Sequence, residues 1–297
     1  MKIGSHVGNN GEEMLLGSLN EALSYDANCF MVYIGPPQNS IRKDISRFRI
    51  VETLDLLAKH NMSPADIIIH GPYITNLAQS NDEKRQFAID FIVKEIEMAD
   101  KIGAKYYIIH PGSHMGNGIE IGLSLISNSL KEILKKTKET GVNILIETMA
   151  GKGSECCFAF EHIKKLIDYV SSPRIGVCLD TCHINDAGYD IVNDYEGVIK
   201  KFDDIVGIDK IKVIHINDSL NNLGAKKDRH ANIGFGKVGF DTICKFVYDE
   251  RFVNVYKILE TPYVKEGKDE YPPYKEEIRM IRNRKFEENM IDIIKGK

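Results

Sequence analysis

The chain has 297 residues, of which 43% are hydrophobic, and its formal net charge is −4 at pH 7. A chain of this length and apolar content can bury a large core, and α/β barrels of this size are commonly one domain. The charge excludes the global basic bias of many nucleic-acid-binding proteins, although divalent ions bound to acidic side chains would offset it.

Apolar segments of strand length recur at even intervals and alternate with segments of helical period. The strand candidates start near residues 3, 29, 66, 106, 143, 175, 212 and 256. The helical segments are Glu12 to Tyr25, Ile50 to His60, Glu83 to Ile102, Gly122 to Lys138, Phe158 to Val170, Tyr195 to Val206 and Phe240 to Val247.

This alternation predicts an α/β fold, a closed (β/α)8 TIM barrel in which residues 1–297 form a single domain. An open doubly wound sheet is the alternative, but no Gly-x-Gly-x-x-Gly opens a helix after the first strand. Residues 265–297 contain Pro272-Pro273 and then a charged helical pattern. We expect them to form a connector and a helix packed on the barrel.

Histidines and carboxylates stand at the ends of six predicted strands or in the loops that follow them. They are His70, His110, Glu147, Asp180, His183, His215, Asp228, His230 and Glu260. In a TIM barrel the C-terminal strand ends meet on one face, where functional groups lie. A single histidine is more often a hydrogen-bonded core or rim residue than a metal ligand. Ordinary packing does not explain why nine histidines and carboxylates all stand at or just after strand ends.

Mixed imidazole and carboxylate donors suit zinc or manganese, and nine donors exceed the need of one or two ions. The sequence therefore predicts a site for three metal ions at the C-terminal ends of the strands. Metal ions that share a carboxylate can activate water and stabilise both oxygens of a displacement at phosphorus, which favours phosphodiester hydrolysis.

Two segments carry a family resemblance. Gly176-Val-Cys-Leu-Asp-Thr-Cys-His183, and Ile214-His-Ile-Asn-Asp-Ser219 followed by Lys227-Asp-Arg-His230, resemble the signature motifs of the endonuclease IV family, the zinc-dependent apurinic/apyrimidinic endonucleases. Further matches cover nearly the whole chain and are densest from His70 to Glu260. All nine metal-ligand identities are kept in order.

The resemblance implies a DNA repair hydrolase that cuts the phosphodiester 5′ to an abasic site in duplex DNA, leaving a 3′-hydroxyl and a 5′-deoxyribose phosphate. It implies three Zn2+ ions, with Mn2+ as an alternative at one site. One ion would be held by His70 and His110, and a second by Asp180, His215 and Glu260, with Glu147 as the bridge between these two ions. The third ion would be held by His183, Asp228 and His230. Glu147 and Glu260 are the catalytic candidates, since a hydroxide between the bridged ions would be the nucleophile and Glu260 would orient it.

The resemblance also suggests contacts to DNA, the expected partner of a monomeric enzyme. Tyr73 matches an aromatic residue that the family places against the opened duplex. The DNA-binding candidates are Tyr73, Gln38, Asn39, Arg42 and Arg229. Two departures from the family pattern concern DNA and not the metals: the loop after the second strand lacks the usual arginine, and Leu220 replaces a lysine.

Two other functions compete with this interpretation. A single-metal or dinuclear sugar isomerase or epimerase with the same barrel would share Glu147, Asp180, His215 and Glu260, but an enzyme with one ion would not need the other five donors together. A noncatalytic metal-dependent DNA-binding or scaffold protein is disfavoured, because so many ligands would not serve to stabilise a barrel.

The compartment is indicated by what the sequence lacks. The six cysteines form no disulfide framework and no Cys-x-x-Cys knuckle. No signal peptide pattern and no run of roughly 18 to 20 apolar residues occurs. We therefore expect a cytoplasmic protein that does not associate with membranes, with Cys178 and Cys182 as ordinary packing residues.

Overall fold

The computed structural model describes residues 1–297. Eight parallel strands close into a barrel: β1 (Lys2–His6), β2 (Cys29–Tyr33), β3 (Ile67–His70), β4 (Tyr106–Ile109), β5 (Asn143–Glu147), β6 (Ile175–Asp180), β7 (Ile211–His215) and β10 (Tyr256–Leu259). Each strand pairs with its neighbours in the chain, and β10 closes the ring by pairing with both β7 and β1. The predicted TIM barrel is confirmed, with each of its eight strands starting within one residue of the predicted position.

Ten helices accompany the strands: α1 (Met14–Ser24), α2 (Ile50–Lys59), α3 (Asp82–Ile102), α4 (Ile119–Lys136), α5 (Phe160–Val170), α6 (Thr181–Ala187), α7 (Tyr195–Ile205), α8 (Phe240–Tyr248), α9 (Tyr274–Asn283) and α10 (Met290–Ile294). Single 3-10 turns lie at Ile45–Phe48, Pro64–Asp66, Ile208–Lys210 and Glu250–Phe252. None of the helices combines the length and the apolar character that a membrane span requires.

The strands are buried on both faces, as the near-continuous apolar runs predict. One face of each strand joins the helices in a core of 69 buried residues. The alternate residues form a separate cluster of nine inside the barrel, made of Cys29, Met31, Ile68, Tyr106, Ile108, Leu145, Cys178, Val213 and Ile258. The interior is therefore a packed plug, and a functional site can form only above it, at a strand end.

Two short antiparallel pairs lie outside the barrel. β8 (Asp218–Ser219) pairs with β9 (His230–Ala231) in the long loop after β7. β11 (Val264–Glu266) pairs with β12 (Asp269–Tyr271) within the predicted connector. The C-terminal segment thus holds a hairpin and two helices where one helix was expected, and Arg284 in the left-handed conformation ends α9.

Candidate metal centre

Strand alternation places six of the predicted ligands over the barrel axis. Side chains two residues apart on a strand point to the same face. Each of these ligands follows a residue of the interior plug by two positions, in the pairs Ile68 and His70, Ile108 and His110, Leu145 and Glu147, Cys178 and Asp180, Val213 and His215, and Ile258 and Glu260. The barrel therefore turns six separate strand ends into one inward-facing ring of donors.

The structure brings all nine predicted ligands together in five overlapping groups, three of which contain all nine between them. In each group the potential ligand atoms lie within 4.8 Å of one another. The first group is His70, His110 and Glu147; the second is Glu147, Asp180, His215 and Glu260; the third is His183, Asp228 and His230. We call these the first, second and third donor groups.

Glu147 belongs to two groups because its two oxygens face in different directions. Oε2 lies 3.1 Å from His70 Nε2 and 3.2 Å from His110 Nε2. Oε1 lies 3.2 Å from Nδ1 of His215, which is also 2.9 Å from Oε2 of Glu260. A carboxylate divided in this way has the geometry of a bridge between two cations.

Hydrogen bonds to backbone carbonyls define the tautomers of three histidines. The Nδ1–H of His70 donates to Gly71 O at 2.7 Å, and that of His183 donates to Thr148 O at 2.8 Å. The Nδ1–H of His230 donates to Glu260 O at 3.2 Å. With Nδ1 engaged in this way, Nε2 is the ring nitrogen that each histidine turns to the cluster, as in metal-bound histidines. Nε2 of His230 is buried and has no hydrogen-bond partner. These donors fit metal ions chemically.

Charges in the cluster are strongly coupled. Burial opposes the charge on Glu147, but the neighbouring imidazoles of His110 and His215 hold its pKa well below the usual range. Burial likewise works against the charged form of His183, and the carboxylates of Asp180 and Asp228 outweigh it and raise its pKa. The buried carboxylates and imidazoles around Glu147 and His183 thus stabilise the charged forms of these two side chains, and bound cations would take over that role for the carboxylates.

The short helix α6, which the sequence pattern did not reveal, delivers His183. Asp180 ends β6 and caps α6 at once, because its Oδ1 accepts a hydrogen bond of 2.8 Å from His183 N. Its Oδ2 stays with the cluster, 3.7 Å from His215 Nδ1 and 3.8 Å from His230 Nε2. The capping pattern of aspartate three residues before His183 could have predicted this turn.

Two buried residues that sequence reasoning missed hold the ligands in place. Asn217 donates to Asp180 Oδ2 at 2.7 Å and accepts from Glu260 N at 2.9 Å. Asp186 accepts from Asp228 N at 2.9 Å, where Asp228 adopts a left-handed φ of 59°. Asn217 lies in one of the motifs that carried the family resemblance, which was the available signal for this residue.

Two further groups surround the third donor group. Lys152 Nζ lies 3.1 Å from Asp228 Oδ2 and provides a cation at the rim of the cluster. The Sγ of Cys182 falls within the ligand distance of Asp180 and His230. Burial raises the pKa of this thiol, which favours the protonated packing residue that the sequence predicted.

The remaining strand ends carry aromatic rings. His6 of β1 packs edge-on against Tyr33 of β2 at 5.1 Å between centroids, and Tyr33 packs on His70 at the same distance. Burial lowers the pKa of His6 to about 4, so this imidazole is neutral at physiological pH. These rings complete the wall of the site without adding a charge.

Four of the five predicted DNA contacts are exposed. Tyr73 is 53% exposed at the rim of a cleft of about 430 Å3 that also contains His110 and Asp228. Gln38 and Asn39 are exposed in the loop after β2, and Arg229 is exposed beside Asp228.

Arg42 does not fit the expectation of a DNA contact. Its side chain is 1% exposed and pairs with the buried carboxylate of Glu95 at 2.5 Å. Its Nη1 donates to the carbonyls of Pro36, Asn39 and Ile41. The guanidinium thus holds the loop after β2 from within, a role that depends on its partner Glu95 and was not visible in the sequence.

The fold and site define a class: a (β/α)8 barrel with a histidine and carboxylate cluster at the C-terminal ends of its strands. The sequence model of the xylose isomerase-like TIM barrel family matches residues 19–284. The solved structure of endonuclease IV from Thermus thermophilus superposes with a TM-score of 0.81 at 27% identity, covering 95% of this chain and 98% of that one. A D-tagatose 3-epimerase-like protein matches with a TM-score of 0.68 at 19% identity, which shows a shared fold alone.

Sequence comparison with curated relatives identifies the family within this class of barrel proteins. A protein of Lachnoclostridium phytofermentans named probable endonuclease 4 is 49% identical, and the match covers 100% of this chain and 99% of the relative. One of the same name in Acholeplasma laidlawii is 46% identical over 97% of each chain. The chain belongs to the endonuclease IV family.

Proposed function

We propose that the chain is a DNA repair endonuclease that hydrolyses the phosphodiester 5′ to an abasic site in duplex DNA, leaving a 3′-hydroxyl and a 5′-deoxyribose phosphate. The names of its relatives support an endonuclease. The observation that carries the finer proposal is the arrangement of nine donors in three neighbouring groups, the first and second of which share Glu147. Such an arrangement suits three Zn2+ ions, with Mn2+ as an alternative at one site.

The bound ions would neutralise the charge of the phosphodiester, activate a water molecule and stabilise the departing oxygen. The chain's own residues prepare this chemistry. Glu147 turns one oxygen to the first donor group and the other to the second, and so fixes the distance between them. Glu260 lies at the edge of the second group with its side chain 17% exposed, where it can orient a water molecule beside the scissile bond.

Access to the phosphate requires a distorted duplex, because the cluster lies in a concave site. Turning an abasic nucleotide out of the helix is favoured by the missing base, whose stacking no longer opposes it. Tyr73 is exposed at the rim and can stack against opened DNA, while Gln38, Asn39 and Arg229 can reach its backbone. All nine donors come from one chain, so we propose a monomer.

A sugar epimerase remains the second interpretation of the barrel. It would use the second donor group and would leave His70, His110, His183, Asp228 and His230 without a role. The arrangement of these five residues around Glu147 and Asp180 favours the nuclease.

The test is incision of a labelled duplex that contains one tetrahydrofuran abasic analogue. We expect 5′ incision that is lost after prolonged chelation and restored by zinc. Absence of incision by protein with a measured full metal content would reject the proposal, and epimerisation of ketoses by the same preparation would establish the second interpretation.

A further inference from the structure

Glu277 is a buried carboxylate of α9 that reaches behind the metal centre. Its side chain is fully buried. Its Oε1 accepts hydrogen bonds from Ile233 N at 2.9 Å and from Asn232 Nδ2 at 3.2 Å, and its Oε2 accepts one from Thr261 Oγ1. One carboxylate thus joins two segments that are about 30 residues apart in the chain.

Each of these two segments carries a ligand candidate. His230 precedes Asn232 by two residues, and Glu260 directly precedes Thr261. The segments also contact each other, because His230 Nδ1 donates to Glu260 O at 3.2 Å. Glu277 and the hydrogen bond from His230 to Glu260 O therefore link the same two segments at two different points.

A buried carboxylate at this position requires a reason. Burial raises the pKa of Glu277 to about 7, although its three hydrogen bonds favour the charged form. An apolar side chain of the same length would avoid this desolvation cost. Each of the three partners donates a hydrogen bond, so the carboxylate is suited to holding both segments at once.

The other side of the same loop is held by a second buried carboxylate. Asp218 accepts hydrogen bonds from Gly234 N, Gly236 N and Val238 N at 3.0, 3.0 and 2.9 Å. Asp218 thus fixes the part of the loop that follows the ligands, whereas Glu277 fixes the part next to His230. Of these two carboxylates, Glu277 is the one that links the loop to the end of β10.

We propose that Glu277 is a positioning residue for the third donor group: from the C-terminal helix it fixes the loop that carries His230 against the strand end that carries Glu260. The inference rests on the proposed function, because it assumes that these residues bind metal. It gives α9 a role in the metal centre, where the sequence indicated a structural helix. Groups that orient metal ligands without touching the ion typically change metal affinity by about 10- to 100-fold when they are mutated.

The test compares two variants of the full chain with a matched control. Glu277→Met removes every hydrogen bond while it keeps the length of the side chain. Glu277→Gln keeps an oxygen for Ile233 and Asn232, and its amide can donate to the Thr261 hydroxyl. Glu276→Gln changes the neighbouring glutamate, whose carboxylate pairs with Arg279 at 2.7 Å, and serves as the control.

Each protein is loaded with zinc, and two quantities are measured: zinc per chain by mass spectrometry, and the rate of zinc release to a chromogenic chelator. We expect three zinc ions in the wild type, in the control and in Glu277→Gln. In Glu277→Met we expect at least one of the three ions to leave about 10- to 100-fold faster, while at least one keeps the wild-type rate. Melting of the metal-free proteins measures the separate effect on folding.

Release of all three ions from Glu277→Met at the wild-type rate would overturn the inference. So would equal acceleration of all three with a lower melting temperature, since that describes a purely structural role. If Glu277→Met does not fold, Asn232→Ala provides the same test, because it removes one donor to Glu277 and should also accelerate the release of at least one ion. A wild type that binds one zinc at most would instead contradict the proposed function itself.

Discussion

Glu147→Gln replaces one buried carboxylate oxygen with an amide nitrogen and leaves the size of the side chain unchanged. Glu147 is the residue shared by the first and second donor groups, and its ligand atoms lie within 4.8 Å of those of its partners. Two unit charges about 4 Å apart interact by about 4 kcal/mol at an effective dielectric constant of 20. Since about 1.4 kcal/mol corresponds to a factor of ten, the lost charge predicts a decrease of at least about a thousandfold in metal retention or incision rate.

The assay measures single-turnover incision of the abasic duplex together with the zinc content of the same preparation. Circular dichroism verifies the fold, which we expect to persist because the substitution is isosteric. Glu120→Gln is the matched control, because this exposed glutamate pairs with Lys165 on the outside of the barrel. Wild-type zinc content and wild-type incision in Glu147→Gln would refute the bridging role of this residue.

Three further predictions separate the site from the scaffold. Asp66→Ala removes a buried carboxylate that accepts a hydrogen bond from Ser63 N at 2.7 Å, at the opposite end of the barrel. Urea unfolding should show that the free energy of unfolding falls by about 1–2 kcal/mol, and the incision rate should not change. A lower incision rate in the folded variant would contradict this separation of site and scaffold. Arg42→Met leaves Glu95 as an unpaired buried charge, so the free energy of unfolding in urea should fall by about 3–5 kcal/mol. The salt dependence of DNA binding should not change, and a shallower dependence would show that Arg42 contacts phosphate. Leu220→Lys adds a cation at a position that is 57% exposed. The slope of log affinity for DNA against log salt concentration should therefore become steeper by about 1. An unchanged slope would place residue 220 away from the DNA.

The barrel and the donors were predictable because both depend on simple periodicities. An inward ligand must follow an inward core residue by two positions, and segments such as Ile67-Ile-Ile-His70 show this directly in the sequence. The convergence of the strand ends then follows from the closed parallel topology alone. The division of the donors among three ions, implied by the family resemblance, stays a prediction, because the ligand atoms also form groups that cut across it, such as His70, His215 and Glu260.

Contacts between distant segments were not predictable in the same way. The sequence left Arg42 available for DNA, and only the fold reveals Glu95 beside it. Glu277 was part of a charged helical pattern for which the sequence predicted only a helix packed on the barrel, and the structure turns its side chain inward toward Thr261. Such pairings depend on the packing of helices against the barrel, which has no local signature in the chain.

The most direct test of the central claim is a zinc titration of the metal-free chain, with incision of the abasic duplex measured at each step. Three donor groups that act together predict that 5′ incision reaches its full rate only when the third equivalent of zinc has bound. Full activity at one equivalent, or no incision with three zinc ions bound, would contradict the assignment of the nine donors to one trinuclear nuclease site.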